Sequence, residues 1–457
     1  MEQIEGDMLT PISIFQKISG KKKFLLESSL KNKDSGRYSI IGSNPVIEVK
    51  GYGDRNIIVS EKGEERVNGK TLEVVKELIP QYSHINGDIP FVGGAMGYVG
   101  YDTIRQYETI GSVPDDELEM PDVHLMFYEQ VVIYDHLEQK IFLAASPILP
   151  ETNEARLLEL NQKRKQELQK ESHSDEASKV SLSAFQATTS KQDFVRNIEI
   201  AKEYISRGDI FQVVLSQRMK ASMDGDPFSF YRKLRISNPS PYMYFIDFED
   251  YVVAGSSPES LVKANGASVI TNPIAGTRPR GKDTAEDLRF EKELIADEKE
   301  LAEHRMLVDL GRNDLGKICK FGTVNVPKYM KIEKYKHVMH IVSEVGGELS
   351  DQKSGADALI SCLPAGTVSG APKIRAMEII NELEQVKRGV YSGAVGYFSV
   401  NGNMDFALAI RTMVIKDKQA YIQAGAGIVY DSIPEKEYEE TIHKLKTFLE
   451  DPDDFIN

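Results

Sequence analysis

The chain has 457 residues, with 70 acidic against 56 basic side chains and a net charge of −14, a balance that disfavours DNA, RNA or anionic lipid as partners. Only Cys319 and Cys362 are present, too few for a disulfide framework or a Cys-rich zinc site. No apolar run approaches the roughly 20 residues of a membrane span, and the acidic start Met1-Glu2-Gln3-Ile4-Glu5-Gly6-Asp7 lacks a secretory pattern, so a soluble, cytoplasmic protein is expected.

The length suggests two or three domains or one large composite. Residues 11–147 hold short β-type runs punctuated by glycine, such as 46–51 and 130–135, and read as a mainly antiparallel sheet with a few helices. A charged helix-forming stretch over 151–171 and a polar segment to Ser190 read as a linker. The expected division is therefore 1–150, a linker over 151–190, a second region over 191–449 and a tail over 450–457.

Past the linker, 193–207 has helical periodicity and 210–218 reads as a strand entered through Gly208-Asp209. The pairs Asn265-Gly266 and Asn401-Gly402 are hairpin signals. They favour an α+β fold over a doubly wound parallel sheet.

Two Glu-x-x-Glu pairs stand out, Glu300/Glu303 in a long helical stretch and Glu437/Glu440 in a helix for which Ser432 and Glu435 suggest a capping box. The i, i+3 spacing puts each pair on one helix face. If the faces met, four carboxylates would suit Mg²⁺; a solvated helix face explains either pair equally well.

The run Leu363-Pro364-Ala365-Gly366-Thr367-Val368-Ser369-Gly370-Ala371-Pro372-Lys373-Ile374-Arg375 is a Gly-rich turn leading into a helix, able to offer free backbone N–H groups to an anion. Lys373 and Arg375 could equally serve only to solvate that helix, and no P-loop pattern is present. Two further glycine clusters, 273–281 and 424–429, permit close backbone approach to a ligand or merely a bulge. His304, His337, His340 and His443 lie near these segments, as proton shuttles or as structural groups.

Taken together, Pro273-Ile274-Ala275-Gly276-Thr277-Arg278, Leu307-Val308-Asp309-Leu310-Gly311-Arg312-Asn313-Asp314, the 363–373 run and Gly425-Ala426-Gly427-Ile428-Val429 resemble, in this order, the chorismate-utilising enzyme family. Upstream, Leu25-Leu26-Glu27-Ser28 and Gly93-Gly94-Ala95-Met96-Gly97-Tyr98 look like the N-terminal region of its anthranilate synthase component I branch. The resemblance implies antiparallel sheets packed in a sandwich with flanking helices, a regulatory region over 1–150 and a catalytic region over 191–449.

It also implies conversion of chorismate and ammonia to anthranilate and pyruvate, with Mg²⁺ held by Glu300, Glu303, Glu437 and Glu440. Substrate contacts are implied for Gly276, Thr277, Thr367, Tyr391, Arg411, Gly425, Ala426, Gly427 and Lys444, with Arg411 suited to a bidentate carboxylate grip. Glu259 matches a general acid for the departing ring hydroxyl, and His340 a histidine near the pyruvate-elimination step.

Sibling enzymes differ at two positions. Ala275 stands where aminodeoxychorismate synthases commonly carry a nucleophilic lysine, and Gln212 where isochorismate and salicylate synthases carry a lysine base. Alanine offers no nucleophile and an amide accepts no proton, which leaves external ammonia as the nucleophile.

The ammonia is expected from a separate glutamine amidotransferase subunit, since neither cysteine sits in a glutaminase-like context. Ser28, Pro241, Tyr242 and Met243 match feedback elements for L-tryptophan, and Ser28→Ala is expected to weaken inhibition. Asn272 departs from the arginine that many relatives place before the Pro-Ile-Ala-Gly-Thr string. The alternatives are an aminodeoxychorismate or 2-amino-2-deoxyisochorismate synthase, or a noncatalytic tryptophan-binding regulator on the same fold.

Overall fold

The structure, a computed structural model, describes residues 1–29, 36–82, 88–170, 179–335 and 338–449. His337 and the 450–457 tail lie outside the described residues. Among these, every pairing between named strands is antiparallel, and the strands form one 13-stranded and one 12-stranded sheet. The α+β expectation and the two-sheet architecture are thus met. No helix among the described residues is long and apolar enough to cross a membrane.

Both sheets draw strands from both halves of the chain. In the first, Phe24–Glu27 pairs with Tyr242–Asp247, followed by Tyr251–Ser257, Thr412–Lys416, Gln419–Ile428 and Gln212–Asp224. In the second, Gly94–Val99 pairs with Ala394–Ser399, next to Met404–Leu408 and Ser260–Asn265. The 1–150 and 191–449 regions therefore share hydrogen-bonded sheets, and their side chains meet in one core. Phe24 of the first sheet packs edge-on against Tyr128 of the second at 4.7 Å between ring centroids, a geometry that favours aromatic pairs beyond simple burial.

The outer face of the first sheet is covered by helices. Pro227–Ser237 lays Phe228, Phe230, Tyr231 and Leu234 into a cluster that also takes Leu445 and Phe448 from Pro434–Leu449. Asn265-Gly266 and Asn401-Gly402 do turn hairpins, between Ser260–Asn265 and Ser268–Thr271 and between Ala394–Ser399 and Met404–Leu408. Within the expected linker, Glu154–Gln169 is a helix whose Arg164 and Glu167 are buried and paired at 2.7 Å.

The capping box at Ser432 and Glu435 is not formed. The helix begins at Pro434, and the Ser432 hydroxyl accepts the Val429 N–H at 3.1 Å instead. Proline fits the first helical position, where no N–H is needed, so the helix entry falls one residue later than the serine suggests. Lys373 likewise does not solvate its helix. It is buried and donates to Asp314 at 2.6 Å, tying the 363–373 run to the 307–314 string.

Candidate active site

Two chain crossovers between the sheets build the site. Pro258 and Glu259 join Tyr251–Ser257 of the first sheet to Ser260–Asn265 of the second, and residues 409–411 join Met404–Leu408 back to Thr412–Lys416. The corners are stitched together: the Leu408 N–H donates to Glu259 O at 3.0 Å and the Ser256 N–H to Arg411 O at 3.0 Å. Neither corner can move without the other.

Between them opens a cavity of about 160 Å³ whose lining includes Glu259, Thr367, Tyr391, Arg411, Gly425 and Lys444, six of the residues singled out in the sequence. Burial pushes the Glu259 carboxyl up to about 7, opposed only by the Thr367 hydroxyl, which donates to its Oε1 at 2.9 Å. A carboxylic acid so placed holds a transferable proton at neutral pH.

Arg411 supplies the opposite chemistry. It has a left-handed backbone, φ +48°, a conformation that costs a non-glycine residue about 1 kcal/mol or more and persists only where surroundings impose it. Burial alone perturbs its guanidinium, with no acidic partner among the described residues. An unpaired buried cation is costly, so the cavity is ready for an anion. Lys444 donates to Gly425 O at 2.9 Å and pairs with Glu440 at 2.8 Å across one helical turn. Such an exposed i, i+4 pair is worth only about 0.3–0.5 kcal/mol, which leaves the ammonium easily redirected.

Glycine is required at Gly425 on steric grounds. A Cβ there would stand 2.9 Å from both Leu215 O and the Tyr391 hydroxyl. Ala426, one residue on, turns its side chain into the cluster under the helices 191–206 and 373–383. A Cβ on Gly427 would meet Gln212 Nε2 at 2.6 Å.

A second group flanks the cavity. The register slips between Ala275 and Thr277 opposite Ile341 and His340, with Gly276 at φ +69°. This bulge aims the Gly276 carbonyl at His340 Nδ1, 3.1 Å away. A carbonyl only accepts, so Nδ1 carries the proton and Nε2 is the basic nitrogen. Burial lowers the His340 pKa, and the Arg411 charge lowers it further. His304 is different: it is fully buried against Ser343 Oγ at 2.6 Å, a core group.

The acidic residues stand as two pairs. Glu300 and Glu303 lie on Glu298–Gly316, Glu437 and Glu440 on Pro434–Leu449. Burial raises the Glu300 and Glu437 carboxyls, and each is raised further by its own neighbour, Glu303 or Glu440. The two helices approach one another, since Lys299 of the first acts on Glu437 of the second. Gln212 Nε2 donates to Glu303 at 3.4 Å, joining the first pair to the sheet edge. Among the described residues, however, no three His, Cys, Asp or Glu groups converge as a metal would require. As donors the four carboxylates fit a hard, oxygen-preferring cation, which would also relieve the like-charge pressure within each pair.

Composition and spacing did not single out the apolar wall, which includes Val214, Ile410, Leu445 and Phe448, nor Thr412 and Gln423. The only available signals were position: Thr412 follows Arg411, and Leu445 and Phe448 fall one and four residues past Lys444. Arg388 also went unnoticed. Fully enclosed, it donates to both Glu384 oxygens at 2.8 and 2.6 Å, to Val368 O at 2.7 Å and to Val214 O at 2.8 Å, bracing two cavity-lining segments from behind.

A larger cavity of about 310 Å³ lies near the sheet junction, with Ser28, Pro241, Tyr242 and Met243 all in its lining. Glu27, beside Ser28, is fixed by Tyr231 at 2.8 Å and Arg235 at 2.7 Å.

Comparison with known proteins places these features in a wider set. The family model described as chorismate binding enzyme matches residues 21–450. Anthranilate synthase component 1 of Acetivibrio thermocellus is 48% identical over 462 residues, covering 98% of this chain and 93% of its own length. The protein of the same name from Lactococcus lactis is 46% identical, with 98% of each chain covered. The crystal structure of anthranilate synthase component I from Streptococcus pneumoniae superposes with a TM-score of 0.84 at 43% identity, covering 98% of this chain and 99% of that one.

Proposed function

The chain belongs to the chorismate-binding enzyme family, and from that premise we propose that it is the subunit that aminates chorismate, releasing anthranilate and pyruvate. The observation that carries the proposal is Glu259, a carboxyl lifted to about 7 by burial in a cavity whose lining also includes the unpaired guanidinium of Arg411.

Chorismate brings two carboxylates and a ring hydroxyl. Arg411 takes one carboxylate in a bidentate fork, and Thr367 and Tyr391 line the ring. Ammonia forms a C–N bond at the ring carbon next to the carboxylate-bearing one, the ring double bonds shift, and the C–O bond to the hydroxyl breaks. Glu259 gives its proton to that oxygen, which departs as water. The proton shed by the new ammonium nitrogen restores the acid. In the second step the aminated ring carbon loses its proton to His340 Nε2, the bond between the ring and the enolpyruvyl oxygen breaks, and the ring becomes aromatic; the departing enolpyruvate takes that proton on its methylene carbon and leaves as pyruvate.

Glu300, Glu303, Glu437 and Glu440 would hold Mg²⁺, which when bound neutralises part of the charge of the ring carboxylate. Gln212 and Ala275 put no lysine at the two positions where sibling enzymes carry a base or nucleophile, in keeping with ammonia as the attacking group. The ammonia comes from a partner glutamine amidotransferase. The 310 Å³ cavity, lined from both halves of the chain, takes L-tryptophan as a feedback inhibitor, where a regulatory region over 1–150 meets the catalytic region over 191–449 with which it shares its sheets.

The test is to incubate the purified chain with chorismate, Mg²⁺ and ammonium salt and follow anthranilate fluorescence. Appearance of anthranilate and pyruvate in equal amounts supports the reading. An aminated product that retains the enolpyruvyl group, or that yields 4-aminobenzoate on addition of a lyase, contradicts it.

A further inference from the structure

The two cavities share neighbouring strands. Tyr242–Asp247, Tyr251–Ser257 and Thr412–Lys416 pair in that order. Tyr244 of the first strand lines the larger cavity, Thr412 of the third lines the smaller, and their hydroxyls stand 2.6 Å apart. Thr412 Oγ1 also lies 2.9 Å from Ile410 O, which can only accept, so the threonine proton is committed there and Tyr244 is the donor to Thr412.

A second tie begins at the loop before the Tyr242 strand. Ser256, fully buried, donates its hydroxyl to Asn238 O and its amide to Arg411 O. Both ties end on the turn Ile410-Arg411-Thr412. Its central residue carries the guanidinium of the smaller cavity on a left-handed backbone. The tyrosine ring has little freedom to drift, because it lies so close over Gly255 that a Cβ there would stand 2.4 Å from its atoms. A left-handed non-glycine residue persists only while its surroundings over-determine it. Here the over-determination comes from residues that form or adjoin the larger cavity.

We propose that Tyr244 and Ser256 are positioning residues through which occupancy of the larger cavity sets the turn that presents Arg411, so that an aromatic amino acid in one cavity and the dianionic substrate in the other select different states of one turn. This rests on the effector reading of the larger cavity given above.

The chain contains no tryptophan, so the indole fluorescence of added L-tryptophan reports its binding free of protein background. Tyr244→Phe keeps the ring and removes only the donor. L-Tryptophan should bind this variant, without chorismate, within about twofold of wild type. The factor by which saturating tryptophan raises the chorismate KM should fall by about two- to tenfold, the worth of one neutral hydrogen bond. Thr412→Val breaks the same bond from its other end together with the tie to Ile410 O, so the double variant should lose no more coupling than Thr412→Val alone, a non-additivity that general loosening does not produce.

Wild-type coupling in Tyr244→Phe, or additive losses in the double variant, overturns the link and leaves the effector cavity standing. Failure of Tyr244→Phe to bind tryptophan overturns it by assigning the hydroxyl to ligand binding. A wild-type chain that takes up no tryptophan removes the effector reading, and the link with it.

Discussion

The Thr367 hydroxyl donates to Glu259 Oε1 at 2.9 Å, and it is the one influence that draws down a carboxyl which burial has lifted to about 7. The two act in opposite senses. Desolvation disfavours the carboxylate, while a hydrogen bond to the carboxylate favours it.

The pH dependence follows with a definite sign. Glu259 must be protonated to act, so at a fixed concentration of free ammonia the alkaline limb of kcat/KM should fall as pH rises through about 7. Thr367→Val removes the only group lowering that pKa, so this limb should move to higher pH. A limb that stays in place, measured by anthranilate fluorescence from pH 5.5 to 9 at low chorismate, would show that Glu259 does not set it.

Arg411 has no competing acidic partner among the described residues to release it, so its grip should be spent on substrate. Arg411→Lys keeps the charge and loses the planar fork. A charge-assisted hydrogen bond is worth about 1.5–3 kcal/mol, so kcat/KM should fall roughly 10- to 150-fold. Most of the change should appear in KM, read from initial rates against chorismate concentration.

Gly425→Ala tests the close fit of strand and ring. The new methyl would stand 2.9 Å from the Tyr391 hydroxyl and from Leu215 O, a backbone atom with little freedom to yield. Overpacking of this kind costs about 1–3 kcal/mol. A melting point lowered by several degrees should accompany a more than tenfold loss of kcat/KM. Gly316→Ala, whose Cβ meets nothing within 4 Å, serves as the control and should change neither.

How much of this was legible in the chain depends on the reach of each interaction. The side chains proposed to carry chemistry sit in short strings, so Glu259, Thr367, Arg411 and Gly425 could be named from residue type and resemblance. The groups that hold them could not. Arg388 reaches Val214 across 174 positions, Lys373 reaches Asp314 across 59, and Tyr244 reaches Thr412 across 168. No local periodicity encodes such pairs.

The fold shows the same division. Alternating runs announced the strands and Asn-Gly turns announced two hairpins, but nothing local says that Phe24–Glu27 extends the sheet of Tyr242–Asp247. The misplaced cap at Ser432 is a smaller case of the same limit: serine competes with Pro434 for the helix start, and proline's fixed φ wins.

The metal reading gives a separate test. Chelation of Mg²⁺ should abolish anthranilate formation, and its return should restore it. Glu303→Gln and Glu440→Gln each remove one negative ligand and should raise the Mg²⁺ concentration for half-activation by more than tenfold. Unchanged activation in both variants would place the metal elsewhere.

The most direct measurement compares wild type with Glu259→Gln in ammonium-dependent anthranilate formation at saturating chorismate and Mg²⁺. Glutamine keeps the shape and cannot donate an acid proton, so kcat should fall by about 10²–10⁴ while chorismate still binds. A variant that makes anthranilate at the wild-type rate would contradict the assignment of Glu259 as the acid, and with it the account of this cavity.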